Sequence, residues 1–315
     1  MSACPACGVN ALHPWRDATA VDPRARRPVY ELFRCGACGS AVTAGREVSD
    51  EAPLYGGGVY AAPPRLADLA LEPLRKIAIA DEIRLVREVP PPARVHEVGA
   101  GDGRLVRALV DRGYFATGSD AFAPVPVEAG GSAVGRARAE ESLPAHVFDV
   151  VVAWHVLEHL PQPREALSAA VGALRPGGRL IASVPNLDSV QARIGGPKWF
   201  HEDVPRHAVH FTRRGLLQLF DRAGFTVERV GSFVVDQCLV GIVQTLLNRL
   251  TRERNVLFRA LKRDPSLRSA GSDMAISAAA LVPAVLIGTA VETLAAAAGR
   301  GGALVVVARS AEAAA

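Results

Sequence analysis

The chain has 315 residues, 49% of them hydrophobic, and a formal net charge of +4. That length and apolar content support a packed core larger than one average domain and exclude an intrinsically disordered chain. The pI near 9.0 is carried by arginine, with Lys76, Lys198 and Lys262 the only lysines, and no basic stripe is evident, so nucleic acid is not an expected partner.

At the N-terminus no basic-then-apolar leader is visible, so the expected location is cytoplasmic. Cys4-Pro5-Ala6-Cys7-Gly8 and Cys35-Gly36-Ala37-Cys38-Gly39 are matching knuckles. Each turns tightly enough to aim two thiolates at one ion, and the following glycine permits the turn. Cys4, Cys7, Cys35 and Cys38 therefore predict a closed, structural Zn²⁺ site in a ribbon over residues 1–45, with a strand at 30–34. The fifth thiol, Cys238, sits in an apolar run and reads as a packing residue.

Residues 46–93 read as a helical linker or lid. Tyr55-Gly56-Gly57-Gly58-Val59-Tyr60 and Pro63-Pro64 come first. Leu66, Leu69, Leu74, Ile77, Ile79, Ile83, Leu85 and Val86 then recur at mostly helical spacing, with Pro73 as a break and Pro90-Pro91-Pro92 as the stop.

From Arg94 strands and helices alternate, the mark of a parallel sheet covered on both faces. Strands are expected at 94–98, 114–119, 148–153, 178–184 and 226–232, with a weak one near 133–138. Helices are expected at 103–112, 163–174 and 213–223. Residues 233–301 break the pattern as an apolar helical insertion. Its parts are a helix over 239–250, a basic stretch over 249–268, and the uncharged run Ala275 to Val291, interrupted by Pro283 and closed by Glu292. A buried helical pair or hydrophobic partner surface, contact of 239–298 with a membrane surface or lipid-like partner, and a true span all remain open. A peripheral position on the inner face of the membrane would follow from the second. A last strand at 303–309 closes the core, which thus comprises 94–232 plus 302–311. The oligomeric state is not legible.

The chemistry centres on His96-Glu97-Val98-Gly99-Ala100-Gly101-Asp102-Gly103, a strand, a glycine turn and a helix start. A dinucleotide fingerprint would space its glycines G-x-G-x-x-G, and Asp102 inside this loop would repel a phosphate. The loop suits a cationic ligand with a ribose and no phosphate, which describes S-adenosylmethionine. Asp120, at the end of the second strand, can accept from the ribose hydroxyls or cap a helix. Glu140 is the candidate for the adenine amino group.

Residues 96–103, Asp120, Phe148 to Leu160 and Leu174-Arg175-Pro176-Gly177-Gly178 together resemble the class I S-adenosylmethionine-dependent methyltransferases. The resemblance implies an α/β, Rossmann-like seven-stranded sheet with helices on both faces and an antiparallel last strand. It implies cofactor binding by Glu97, Gly99, Ala100, Gly101, Gly103, Asp120, Glu140 and the segment around His155. Glu158 and His159 match the family's Glu-His after the fourth strand, where a loop-fixing role is expected. The stretch from Pro185-Asn186 through Lys198 to Thr212 looks like a subgroup found in quinone, polysaccharide and lipid pathways. Its histidines suit a substrate loop: His207 and His210 are candidate bases, His201 a third, and Asp203 a candidate orienting carboxylate.

The resulting expectation is methyl transfer to a small-molecule acceptor, a hydroxyl of a sugar, quinone or lipid-linked intermediate. RNA methylation, carbon methylation of a nucleotide-linked sugar, and a non-catalytic cofactor-binding scaffold are the competing readings.

Overall fold

The computed structural model describes residues 3–22, 24–46, 54–55, 76–77, 79–122, 127–129, 132–141, 143–262, 264, 267 and 271–310. The expected glycine connector at 56–60, Pro63-Pro64, Leu66, Leu69, Pro73 and Leu74 lie outside the described residues. Of the linker helix, residues 79–86 are helical, and Ile83, Leu85 and Val86 are buried on its inner side.

Three strands build the N-terminal ribbon: β1 (Leu12–Thr19), β2 (Val29–Cys35) and β3 (Ala41–Thr43). The core begins with β4 (Arg94–Val98), α1 (Arg104–Val110) and β5 (Phe115–Ser119). A short hairpin, β6 (Val127–Ala129) and β7 (Ser132–Gly135), leads to β8 (Phe148–Trp154) and α2 (Pro163–Ala173). Then come β9 (Leu174–Pro185), α3 (Val190–Gly195), β10 (Val209–His210), α4 (Arg213–Arg222) and β11 (Phe225–Gly231). Three helices follow, α5 (Val235–Leu250), α6 (Val256–Leu261) and α7 (Gly271–Ala297), before β12 (Ala303–Ser310).

The main sheet runs β11-β12-β9-β8-β4-β5-β7-β6. β12 is antiparallel to both of its neighbours, while β9, β8, β4, β5 and β7 are parallel. The expected seven strands are present with the last one antiparallel, and β6 adds an eighth by pairing antiparallel with β7 at the edge. The central strands are buried on both faces, which is why 150–153 reads as unbroken Val-Val-Val-Ala and not as an alternation. One core layer gathers Leu167, Leu174, Phe211 and Phe220, and the other gathers Leu105, Val106, Leu109 and Cys238. Local signals set the helices. Pro163 opens α2 at its first turn, and the Thr212 hydroxyl caps α4 by accepting from Gly215 N at 3.1 Å. α2, expected over 163–174, stops at Ala173, and β9 starts at once at Leu174, with Gly177 at φ +75° inside it.

The second sheet runs β1-β2-β3-β10. Its fourth strand comes from the histidine-rich loop, with Val209 opposite Val42 and His210 opposite Ala41. The boundary drawn at residue 45 is therefore crossed by a sheet.

Candidate active site

The order of the sheet reverses at β4, with β5 on one side and β8 on the other. In open α/β sheets a ligand crevice forms at such a point, beyond the carboxyl ends of the strands. Glu97 and Gly99, Asp120, and His155 arrive there from the ends of β4, β5 and β8. Gly99 has φ +73°, and a Cβ on it would lie 2.4 Å from Val156. Gly101 has φ +53° and open space where a Cβ would point, so its peptide plane is free to receive a ligand. Asp120 organises the loop: its Oδ2 accepts from Gly101 N at 3.0 Å and its Oδ1 from Phe122 N at 2.7 Å. The residue closes an Asx-type turn and is not a helix cap.

Carboxylates converge on this crevice. Burial first, then the charges of Glu82, Asp102 and Asp120, raises the Glu97 carboxyl well above its ordinary value. Glu82, from the helical segment 79–86, is pushed up to about 8 by burial and by Asp236 and Asp81. Burial also raises Asp236, in the first turn of α5, against the opposing influence of His155. Buried oxygens Glu97 Oε2 and Asp236 Oδ1 have no hydrogen-bond partner. Crowded, desolvated carboxylates with unused acceptors fit a ligand carrying an ammonium and a sulfonium. Glu82 and Asp236 were not singled out from the sequence. The available signal for Glu82 was an acid amid the apolar positions Ile79, Ile83 and Val86.

His155 ends β8 at φ +53°, a conformation uncommon for a residue with a Cβ and one that turns its ring out of the strand. Its Nδ1 lies 2.9 Å from Glu158 Oε1, and its Nε2 lies 3.4 Å from Ser183 Oγ. Burial raises the Glu158 carboxyl, but its bond to His155 prevails and holds it below its ordinary value. The Glu158 carbonyl accepts from Ala208 N at 2.7 Å, so this residue does fix the loop. Its Oε2, also buried, has no partner.

The histidine loop folds over this end. His207 Nδ1 lies 2.8 Å from the His201 carbonyl, which assigns the proton to Nδ1 and leaves Nε2 as an acceptor. The His159 ring sits edge-on to it, 4.8 Å between centroids. His210 Nε2 is 3.0 Å from Thr43 Oγ1, and His201 Nε2 is 3.2 Å from the Gln237 carbonyl. Burial lowers His207 well below the usual imidazole value, and His201 and His210 to about 4. All three rings are therefore neutral near pH 7. Each ring thus spends one nitrogen on the protein: His207 its Nδ1, His201 and His210 their Nε2 atoms on Gln237 and Thr43, and His207 is the one of the three grouped with Glu158 and His159. Asp203 does not orient a histidine: its carboxylate grips Arg206 through two bonds of 2.7 and 2.8 Å, and Arg206 also reaches Asp22 at 2.8 Å. Glu140 accepts from Arg138 Nε at 2.7 Å. The expected cofactor residues around the glycine turn thus share one crevice with His155, and the loop histidines surround its β8 side.

Among the described residues, two side-chain groups have donor atoms close enough to hold a metal ion, within 4.8 Å of one another: Cys4, Cys7, Cys35 and Cys38, and Glu158, His159 and His207. Across the first group the thiols approach at 3.8 Å (Cys4 to Cys38) and 3.6 Å (Cys7 to Cys35), and none forms a disulfide. A tetrahedral Zn²⁺ with four thiolates at about 2.3 Å places its sulfurs about 3.8 Å apart, so the donor set fits.

The family described as a methyltransferase domain matches residues 74–230. A ubiquinone biosynthesis O-methyltransferase from Pseudomonas fluorescens is 32% identical over 177 residues, covering 51% of this chain and 74% of that protein. Another, from Xylella fastidiosa, is 33% identical over 127 residues, covering 37% of this chain and only 50% of its own length. An S-adenosylmethionine dependent methyltransferase of known structure from Mesorhizobium loti is 19% identical, with 74% of this chain and 99% of that one covered at a TM-score of 0.43. With the glycine turn, Asp120 and the strand order already established, the chain belongs to the class I S-adenosylmethionine-dependent methyltransferases. Within that class S-adenosylmethionine is its methyl donor.

Proposed function

We propose that this chain methylates a hydroxyl of a small acceptor of the quinone-precursor type. The observation that carries the reading is His207: a buried, neutral imidazole with Nε2 free to accept, beside His159 and Glu158 on the loop that covers the β8 end of the donor crevice. A hydroxyl must lose its proton as it attacks, and an imidazole in reach of it is the natural base. The ubiquinone biosynthesis O-methyltransferase relatives favour an acceptor of the quinone type over a sugar.

When bound, the donor supplies an electrophilic methyl on a sulfonium. The residues of the chain do the positioning. Asp120 would hold the ribose hydroxyls, Glu140 the adenine amino group, and Glu97 with Glu82 and Asp236 the cationic methionine end. The acceptor oxygen forms the new bond to the methyl carbon, the carbon–sulfur bond breaks, and its electron pair stays on sulfur. His207 Nε2 takes the hydroxyl proton. His159 and Glu158 hold the loop against β8. Much of the rate comes from fixing the two reactants in line.

The four cysteines hold a structural Zn²⁺ in this reading, because they leave no coordination position open. The Glu158–His159–His207 group supports a second reading of the base, in which a divalent cation there binds the acceptor oxygen. The unpartnered, buried Glu158 Oε2 favours it. The deciding experiment is a labelled-methyl transfer screen over catechols, nucleotide sugars, RNA and lipid extracts, run with and without a chelator that spares the cysteine site. Label in a catechol methyl ether supports O-methylation; label in RNA or on a sugar carbon overturns it. Loss of transfer on chelation, restored by a divalent cation, selects the second reading.

A further inference from the structure

The long helix α7 is apolar on the side that faces water. Val282, Leu286, Ile287 and Leu294 are 67%, 68%, 57% and 72% exposed, and Ile276 and Val285 are exposed beside them. Its buried stripe is small or polar instead: Asp273, Ser277, Ala284, Gly288, Glu292 and Ala295. Both acids of the helix point inward. Asp273 Oδ2 accepts from Glu253 N at 2.8 Å, and Glu292 accepts from Gly302 N and, at 3.3 Å, from Gln191 Nε2. From Ala275 to Leu294 the outward face carries no charge over roughly 30 Å of helix.

That arrangement inverts the usual surface helix, whose polar face meets solvent. A spanning helix turns its acids toward other spanning elements, whereas Asp273 and Glu292 of α7 are bonded to Glu253, Gly302 and Gln191 of the enzyme itself. The helix lies flat on the molecule, with its lipophilic side outward. Its ends are flanked by exposed cations. Arg252 stands near the start, where it acts electrostatically on Asp273, Arg249 precedes it in the last turn of α5, and Arg300 follows the end. An apolar strip bordered by arginine suits the boundary between acyl chains and anionic headgroups. A second copy of the chain fits less well. The strip has no aromatic residue of the kind that anchors protein interfaces, and a two-fold contact would bring arginine against arginine.

We propose that the outer face of α7 is a membrane-docking surface that seats the enzyme on an anionic bilayer, with the helix in the membrane plane. The surface is tied to the acceptor loop through side chains: Glu292 accepts from Gln191, whose Oε1 accepts from Trp199 Nε1 at 3.2 Å, and Trp199 adjoins His201. Docking therefore places the loop that covers the methyl next to the bilayer, where a lipid-soluble acceptor would enter. The docking itself does not depend on which acceptor is methylated.

Density-gradient flotation of the full, zinc-loaded chain tests this, using vesicles of phosphatidylcholine with phosphatidylglycerol and vesicles of phosphatidylcholine alone. The protein should float with the anionic vesicles, and added salt or Arg249→Ser with Arg252→Ser should weaken that binding. Val282→Glu with Leu286→Glu should reduce the bound fraction about tenfold or more while S-adenosylhomocysteine binding by calorimetry stays unchanged, which shows that the variant is folded. Equal flotation of that variant, or no flotation of the unaltered protein, would overturn the proposal. So would a dimer in sedimentation that the same double substitution dissolves, because the face would then belong to a second copy.

Discussion

Thr43 and His210 join the ribbon to the acceptor loop. The Thr43 hydroxyl donates to the His207 carbonyl at 2.7 Å and, from its remaining lone pair, meets His210 Nε2 at 3.0 Å. Thr43 N also donates to the Ala208 carbonyl at 2.9 Å. One threonine at the end of β3 thus fixes the backbone at the proposed base and at the residue after it. Below it, Thr212 Oγ1 donates to the Cys38 carbonyl at 2.7 Å and caps α4, so the second cysteine knuckle is bonded to the far end of the same loop.

By that link a metal held by the four cysteines would support the proposed base. Thr43→Val keeps the shape and removes the hydroxyl, leaving the buried His207 carbonyl and His210 ring short of a partner. The expected cost is about 1–3 kcal/mol of stability, with kcat falling and the affinity for the donor unchanged. Thermal melts, kinetics and calorimetry on one preparation check it. An unchanged kcat would mean that the threonine has no part in positioning His207.

Metal analysis should find one zinc per chain, and Cys35→Ser should lower both zinc content and acceptor turnover. Removal of one thiolate opens a closed site, and β3 then loses the anchor that aligns β10. A zinc-free but fully active Cys35→Ser protein would separate the ribbon from the loop.

Affinity for the donor should rise with pH. Glu82 holds its proton up to about 8, and burial and its acidic neighbours raise Glu97 well above its ordinary value. A cationic ligand favours the ionised carboxylates, so below pH 8 its binding must expel protons and is weaker for it. Calorimetry in buffers of different ionisation enthalpy should detect that release. Glu82→Gln should flatten the dependence. In the ligand-free protein these same raised values favour folding at low pH, and the benefit fades as pH rises from the ordinary carboxylate value of about 4.3 through 8.

The loop histidines act in the opposite direction. His201 and His210 are lowered to about 4 by burial, against about 6.5 in an unfolded chain. Their contribution is complete above pH 6.5 and is lost as pH falls from there through 4. The loss is on the order of 3 kcal/mol for each ring at the acid limit. A melting temperature that drops across this interval, and drops less in His210→Gln, is the expected record. A flat acid limb would show that these rings are not held neutral.

The sequence made the donor side legible because its parts are contiguous. The glycine turn needs positive φ within a few residues of Glu97, and Asp120 follows one strand later. The cysteine knuckles announce themselves by spacing. The rest depended on distant elements meeting. Glu82 and Asp236 reach the crevice from a preceding helix and from α5, and neither has a local pattern that marks an acid as buried. His207 and His210 stand level in sequence with His201 third, and hydrogen bonds to the His201 carbonyl, to Thr43 and to Gln237 distinguish them. In α7 the uncharged run is compatible with core, partner surface or membrane, because spacing alone does not say which stripe packs. The structure packs the small and polar stripe with Asp273 and Glu292 and leaves Val282, Leu286, Ile287 and Leu294 exposed.

Every role assigned above depends on the crevice at the ends of β4, β5 and β8 being the donor site. Calorimetric titration of the zinc-loaded chain with S-adenosylhomocysteine tests that claim most directly, with Asp120→Ala alongside. One site per chain is expected, and the variant should bind roughly tenfold to a hundredfold more weakly, the loss of charge-assisted hydrogen bonds to the ribose. A folded protein that does not bind, or an Asp120→Ala variant that binds as tightly as the unaltered chain, would contradict the account.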